Sequence, residues 1–432
     1  MKKRNIEKLF AGIAVVLMAG CSSAAAPAEE QISLKTVETA AAETAETAVP
    51  SQESSQSANT SIDVSVSGMM SADDIFTDRD LQQTADLTSA VNYTVSDNSD
   101  ITITAEGVYV ITGTAENCTV IVDAGSEDKV QIVLDAVSIT NTDSPAIYVK
   151  SADKVFITTT DTASTLKVTG PFAADGTTNT DAVIFSKDDV VINGTGTLNI
   201  SSTGNGITSK DDLKITGGTL NITCTDDALE ANDSVAVAGG SITITTDKDG
   251  IHCENDEDDT VGYVYICGGT LDITSVDDGI HGTTIVQIDG GTISVNGHEG
   301  IEGTYIQIND GTITVNASDD GINAAAKSAS YTPTAEINGG DLTIRMGSGD
   351  TDAIDSNGNL YITGGSISIT AQSPFDYDGT GKMTGGTVIV NGTQITALTN
   401  SMMGGGMQGG FGGQQGGFGG PQGGFGGHKG GH

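Results

Sequence analysis

Between residues 217 and 323 the chain alternates apolar and polar positions in short bursts, and one burst returns five times. GGTLNITCTDDALEA starts at Gly217, GGSITITTDKDGIHC at Gly239 and GGTLDITSVDDGIHG at Gly268. GGTISVNGHEGIEG starts at Gly290 and DGTITVNASDDGINA at Asp310. Each copy reads as a paired-glycine turn, a period-two strand, an acidic turn, and one apolar residue after Gly or Ala. Period two sends Leu220 and Ile222, Ile242 and Ile244, Leu271 and Ile273, Ile293 and Val295, Ile313 and Val315, and Leu342 and Ile344 to one face. Leu229, Ile251, Ile280, Ile301, Ile322 and Ile354 make a second set. A third set precedes the paired glycines: Leu213 and Ile215, Val235 and Val237, Val264 and Ile266, Val286 and Ile288, and Ile306 and Ile308. A repeat of about 20–29 residues predicts units that stack because none can bury its apolar face alone. Three inward sets per repeat predict three strands per coil. The expected fold class is all-β, a right-handed parallel β-helix with three strands per coil, its hand set by the usual chirality of such connections. Aliphatic columns fill the interior, so function is expected on an outer face or in the turns.

The flanking chain extends this picture. ITITAEGVYVITG, TVIVDAG and KVQIVLDAVSIT, between residues 101 and 140, also read as strands, and GGDLTIR, GGSISIT and GGTVIV continue the copies from Gly339, Gly364 and Gly385. Residues 71–90 begin with Ser71 and two acids, an N-cap pattern, and place Ile75, Phe76 and Leu81 within helical reach. This predicts a short N-terminal cap over the first coil. Upstream, Lys2, Lys3 and Arg4 precede an apolar run over 9–19, too short to span a bilayer and suited to a signal peptide. It ends in LMAGC, which resembles the lipobox of bacterial lipoproteins and implies cleavage before Cys21 with lipid on its thiol. Met18 departs from the Leu usual there, and Ser22 does not suggest inner-membrane retention. The expected division is a lipoprotein signal peptide over 1–21, a disordered tether over 22–67, the β-helical body over 68–400 and a disordered Gly/Phe/Gln-rich tail over 401–432. The chain is thus expected at the extracellular face of the cell envelope, held to a membrane through Cys21.

Charge changes the reading of the turns. The chain has 57 acidic against 18 basic residues, a formal charge of −39, which argues against a nucleic-acid partner. The acids recur in register: Asp226, Asp227 and Glu230; Asp247 and Asp249; Asp277 and Asp278; Glu299 and Glu302; Asp319 and Asp320; Asp350, Asp352 and Asp355. Stacked strands are about 4.8 Å apart, and unit charges at that distance repel by roughly 0.9 kcal/mol even in bulk water. Carboxylates with turn carbonyls are hard oxygen ligands, so this set is the candidate Ca²⁺ site, with solvated turn acids as the plainer alternative. The insert ENDEDD at residues 254–259 is a second acidic loop. His252 and His281 occupy matching positions but lack Cys partners at zinc-site spacing. Cys118, Cys224, Cys253 and Cys267 read as small core or turn residues rather than as a disulfide framework.

DIFTDRDL at Asp74, VDAGSEDKVQIVLDAVSIT at Val122 and SPAIYVKSADKVFIT at Ser144, followed by SKDDLKITGGTLNI, resemble a family of secreted bacterial β-helix carbohydrate-binding domains. The resemblance spans about residues 71–399. It implies calcium in the coil turns, binding of plant cell-wall polysaccharide such as polygalacturonate or cellulose-like glucan, and a fold similar to calcium-dependent pectate lyases without their activity. Tyr263, Tyr265 and Tyr305 are the candidate sugar-stacking rings. Two other functions stay open. A lyase would need a base beside calcium, and Lys248, between Asp247 and Asp249, is nearest to that requirement. A structural spacer or adhesin would need no ligand.

Overall fold

The computed structural model describes residues 69–401, apart from 256 and 350. The signal peptide with Cys21, the tether, the tail and the candidate ligand Asp350 lie outside the described residues. What is described is all-β, with one four-residue helix, Ala72–Ile75, and strands that pair almost entirely in parallel.

Strands meet their counterparts one repeat on, in three ladders. The first joins Thr197–Ser201, Thr219–Cys224, Ser241–Thr246, Thr270–Thr274, Thr292–Gly297, Thr312–Ala317, Asp341–Met346, Ser366–Thr370 and Thr387–Val390. The second runs through Ala182–Ser186, Asn205–Ser209, Leu229–Ala231, Ile251–Cys253, Ile280–Ile288, Ile301–Ile308, Ile322–Ala324 and Ile354–Ser356. The third runs through Lys154–Thr159, Asp189–Gly194, Asp212–Ile215, Ser234–Val237, Tyr263–Ile266, the later halves of Ile280–Ile288 and Ile301–Ile308, Thr334–Ile337 and Asn359–Ile362. At the far end Thr393–Ile395 turns back antiparallel on Thr387–Val390 and covers part of the last edge.

Register does the sorting. Leu198, Leu220, Ile242, Leu271, Ile293, Ile313, Leu342, Ile367 and Val388 stand one above the next, and none is more than 2% exposed. The other two predicted sets are equally buried and join the same core. Removing one such side chain from water is worth about 1.5–3 kcal/mol, but a repeat gains this only when neighbours cover both its open sides. The paired glycines let the repeats close up. A Cβ on Gly364 would lie 2.0 Å from the Asn338 carbonyl oxygen, and Gly365 turns at φ +81°. The first glycine of that pair permits approach and the second permits the turn.

The N-terminal segment corrects one expectation. Residues 69–83 do not sit over the first coil; they run as a strap along the outer flank of the third ladder. Met70 N–H donates to Gln287 Oε1, and Gln287 Nε2 donates back to the Met70 carbonyl, both at 2.9 Å. Phe76 packs on Tyr265, ring centroids 6.3 Å apart. Lys214 Nζ donates to the Ile75 carbonyl at 2.6 Å. The Thr216 hydroxyl donates to the Asp80 carbonyl, and Gly194 N–H donates to Gln83 Oε1. The Arg79 guanidinium lies 4.4 Å from the centre of the Phe156 ring. Leu81, expected in the packing, stays exposed. The physical reason is in the flank itself. Phe156, Val191, Ala236 and Tyr265 point outward from the third ladder, where alternation would place polar residues, and they need a cover.

Asp80 is the charged pin of the strap. It is fully buried, with Lys154 Nζ at 3.4 Å and Lys214 Nζ at 3.8 Å. Removing it leaves the largely buried Lys214 ammonium without a carboxylate and Lys154 with Asp189 alone, at 3.7 Å, a loss of about 3–5 kcal/mol where such pairs are broken from one side. Asp80→Ala is therefore expected to lower Tm and to expose residues 69–83 to limited proteolysis while the β-type far-UV spectrum persists. An unchanged Tm and cleavage pattern would mean that the strap is not held through Asp80.

Candidate functional site

Each acidic turn delivers the chain into the second ladder and puts two side-chain columns on one edge. The inner turn column is Asn205, Asp227, Asp249, Asp278, Glu299, Asp320 and Asp352, each directly before the Gly-Ile or Ala-aliphatic step into the strand. Part of it is structural. Asp227 N–H donates to Asn205 Oδ1 at 2.9 Å, Asp249 N–H to Asp227 Oδ1 at 3.1 Å, Asp278 N–H to Asp249 Oδ1 at 2.9 Å and Asp352 N–H to Asp320 Oδ1 at 3.0 Å. One oxygen of these side chains thus fastens the next repeat. The second column follows from register: Thr208, Glu230, His252, His281, Glu302, Asn323 and Asp355.

The first part of this edge carries its own cations. Lys210 Nζ lies 3.0 Å from Glu230 Oε1, whose other oxygen accepts from Asn205 Nδ2 at 2.6 Å and the Thr208 hydroxyl at 2.7 Å. His252 Nδ1 lies 2.6 Å from Asp249 Oδ2, and its Nε2 lies 3.3 Å from Glu254 Oε2 in the acidic insert. His281 Nδ1 lies 2.7 Å from Glu302 Oε2 and 3.2 Å from Asp278 Oδ2, and Lys327 Nζ lies 2.9 Å from Glu302 Oε1. The two imidazoles stack with centroids 4.9 Å apart and planes 7° from parallel. Burial alone would make His281 give up its proton, but its bonds to Asp278 and Glu302 win and lift it to about 10. Burial likewise works against the Glu302 charge, yet His281 and Lys327 hold that carboxyl at about 2.

The later part has no such compensation. Burial, with Glu302, Asp278 and Asp320 nearby, pushes Glu299 up to about 8 against its bond from Asn323. Burial and the charges of Asp319, Asp352 and Asp376 raise Asp320 to about 6. Burial and Asp320, Asp376 and Asp352 raise Asp355 to about 7. None of Glu299, Asp320 and Asp355 forms an ion pair with Lys, Arg or His among the described residues. Asn323, 9% exposed, donates from Nδ2 to Glu299 Oε2 at 2.9 Å and Glu302 Oε1 at 3.4 Å. Its Oδ1 is buried with no partner. With Nδ2 committed toward Glu302, Oδ1 is left for the following repeat, where Asp355 is its register neighbour.

The predicted ligands therefore divide. Asp227, Glu230, Asp249, Asp278, Glu299, Glu302, Asp320, Asp352 and Asp355 come together on the edge, and Asp278, Glu299 and Glu302 bring one oxygen each within 4.8 Å of the others. Asp226, Asp277 and Asp319 stand one position earlier in each turn, and of these Asp277 is exposed where Asp278 behind it is buried. Asp247 is out of line: Cys224 pairs with Thr246 and Leu229 with Ile251, so Lys248 takes the place of Asp226 and Asp247 falls one position earlier. Among the tyrosines, Tyr265 is corrected. Tyr265 is 1% exposed under Phe76 and donates its hydroxyl to Asp289, so it has no face for a sugar. Tyr263 packs into the same cluster, and Tyr305 lies edge-on to Tyr331 with its hydroxyl on Glu336. Cys118, Cys224, Cys253 and Cys267 are free thiols. The compensating roles of Lys210, His252, His281 and Lys327 were not read from the sequence, although His252, His281 and Asn323 were placed in register with the acids. The signal was available in the residue after each Gly-Ile step, which aligns all but the lysines.

A family model described as carbohydrate-binding domain-containing protein matches residues 97–351 and 297–403. A relative of that description from Acetivibrio thermocellus is 40% identical over 124 residues, 27% of this chain and 43% of the relative. The chain thus spans less than half of that relative's length. A solved structure, titled as the polysaccharide lyase-like protein from C. thermocellum in a gadolinium derivative, is 33% identical with a TM-score of 0.48, over 50% of this chain and 96% of that one.

The His281 cluster sets a pH dependence. An imidazole raised from 6.5 to about 10 on folding stabilises the fold fully below 6.5, and that contribution is lost as pH rises through about 10. In EDTA, Tm is expected to fall over this interval, and His281→Gln should flatten the fall. A wild-type profile already flat there would remove the charged His281 from the fold's stability.

Proposed function

This chain belongs to the family of carbohydrate-binding domain-containing proteins, and from that premise we propose that it is a non-catalytic polysaccharide binder displayed on the cell surface. The carrying observation is that the family match runs through the stacked ladders, residues 97–403, rather than through a separate appendage. We read the ladders as coils of a right-handed parallel β-helix, supported by parallel, in-register pairing of each strand with its counterpart one repeat on. The anchor reading rests on LMAGC ending at Cys21, with residues 22–67 as the tether. The proposed ligand class is extracellular polysaccharide of plant cell-wall type, polygalacturonate or a cellulose-like glucan.

Calcium belongs to this proposal, and the residues present fit it. Glu299, Asp320, Asp355 and the unpartnered Asn323 Oδ1 are all hard oxygen donors in a region short of positive charge. These residues would hold the ion, which when bound supplies the positive charge that lets the carboxyls ionise together at neutral pH. The same ion could join protein carboxylates to those of a uronate polymer. The first part of the edge, with Lys210, His252, His281 and Lys327, has less need of it.

Calcium that binds only the folded chain raises Tm by mass action. Wild type is expected to melt several degrees higher in calcium than in EDTA, and the Asp320→Asn, Asp355→Asn pair should lose most of that rise while Glu230→Gln keeps it. A Tm that ignores calcium would sink the calcium reading. Sedimentation with insoluble cellulose and affinity electrophoresis in polygalacturonate, each with and without EDTA, test binding itself. Retention without unsaturated sugar product is expected; accumulating product would replace the binder with a lyase.

A further inference from the structure

Three long surfaces follow the ladders, and two are already engaged. The third-ladder flank lies under residues 69–83 from Phe156 to Gln307. The second-ladder edge carries the partly buried charged columns. The outward face of the first ladder is open, and its composition differs from both. In two neighbouring repeats it presents Thr292, Ser294 and Asn296 beside Thr312, Thr314 and Asn316, all exposed or half-exposed. Asn316 Nδ2 donates to Asn296 Oδ1 at 2.9 Å, so the amides lie in a row.

From these observations we infer that the first-ladder face, between about residues 270 and 370, is where an uncharged, extended polysaccharide lies. The inference rests on the carbohydrate-binding reading above and names its surface.

Strand geometry sets the lattice. Outward side chains repeat about every 6.6–6.8 Å along a strand and about 4.7–4.9 Å across strands. Each hydroxyl is both a donor and an acceptor, and β-branched Thr has little χ1 freedom to lose when a ligand orders it. A flat, pre-ordered field of hydroxyls and amides suits a polymer that is itself a field of hydroxyls. Strand propensity explains why Thr is common on such a face; it does not explain the borders. Along one margin the bare backbone of Gly291, Gly311, Gly340 and Gly365 forms a groove that opens onto Thr312 and Ser366. Along the other, a second hollow runs past Val276, Gly297 and His298 to Arg345 and Gly347. Both hollows border the same stretch of the same face, and Val276, 65% exposed, offers an apolar contact at its rim.

Charge selects the ligand. The face carries Asp272 and Asp341 against Arg345, on a chain of −39. A polyuronate would be repelled here, whereas a neutral glycan would not. With no aromatic ring on the face, each sugar contact is weak, and affinity must come from many repeats acting together. Long chains should therefore bind and short oligosaccharides should not.

The test uses the full chain in EDTA and again in calcium, with insoluble cellulose as the neutral probe, short cello-oligosaccharides as the length control and polygalacturonate as the charged probe. Ser294, Thr314 and Thr343 stand in one register column. The variant Ser294→Ala, Thr314→Val, Thr343→Val removes their hydroxyls while keeping strand-compatible side chains, and Thr314→Lys adds a bulky charge at the centre. Wild type is expected to bind cellulose but not the oligosaccharides. Both variants should bind at least about tenfold more weakly at unchanged Tm, a loss of about 1.4 kcal/mol or more. If wild type binds cellulose and the variants bind equally well, this face is overturned and the family-level reading stands. If wild type binds polygalacturonate alone, and only with calcium, the binding surface is the acidic edge and this inference falls. If wild type binds neither polymer, the polysaccharide reading falls with it.

Discussion

Everything in this molecule depends on repeats lying in register about one strand spacing apart. At that distance no position is independent of the same position in the next repeat. An aliphatic residue becomes a column, and the column is the core. A pair of glycines becomes a seam, because a side chain at Gly364 would run into the Asn338 carbonyl. A carboxylate becomes a line of charge, which register makes unavoidable.

The charged edge shows two answers to that last constraint. From Glu230 to Glu302 the line is interrupted by imidazoles and by Lys210 and Lys327, and the Asp side chains spend one oxygen on the backbone of the next repeat. Acidity there is largely a fastening device. Glu299, Asp320 and Asp355 have no such cation among the described residues, and Asn323 is left with an unused buried oxygen. The proposed ion belongs to this second part. One repeating feature can thus be scaffold in one half and, on the proposed reading, a metal site in the other.

The flank follows the same logic with the sign reversed. Outward Phe156, Val191, Ala236 and Tyr265, in one column with Lys214, present apolar surface that water would penalise, and residues 69–83 cover it. Gln287 and Gln307 present amides that mimic a strand edge and receive the backbone of Met70 and Met69. Covering one flank and filling one edge with charge leaves the Thr/Ser/Asn face as the broad surface open to a partner.

Much of this was legible in the residues alone. The three apolar sets, their phase and their stacking partners follow from period two and the recurrence of paired glycines, because local alternation dictates which side of a strand is buried. The recurrence of acids was equally plain. What only the tertiary structure decided was which charges meet. Lys327 reaches Glu302 from outside the repeat, and Asp247 slips out of line because one residue of offset moves a side chain off the column. The strap was also beyond the sequence reading. Its residues suited any apolar surface, and long-range packing chose the flank over the end. Tyr265 was misplaced for the same reason: an outward position in a strand is exposed only if nothing else in the chain lies over it.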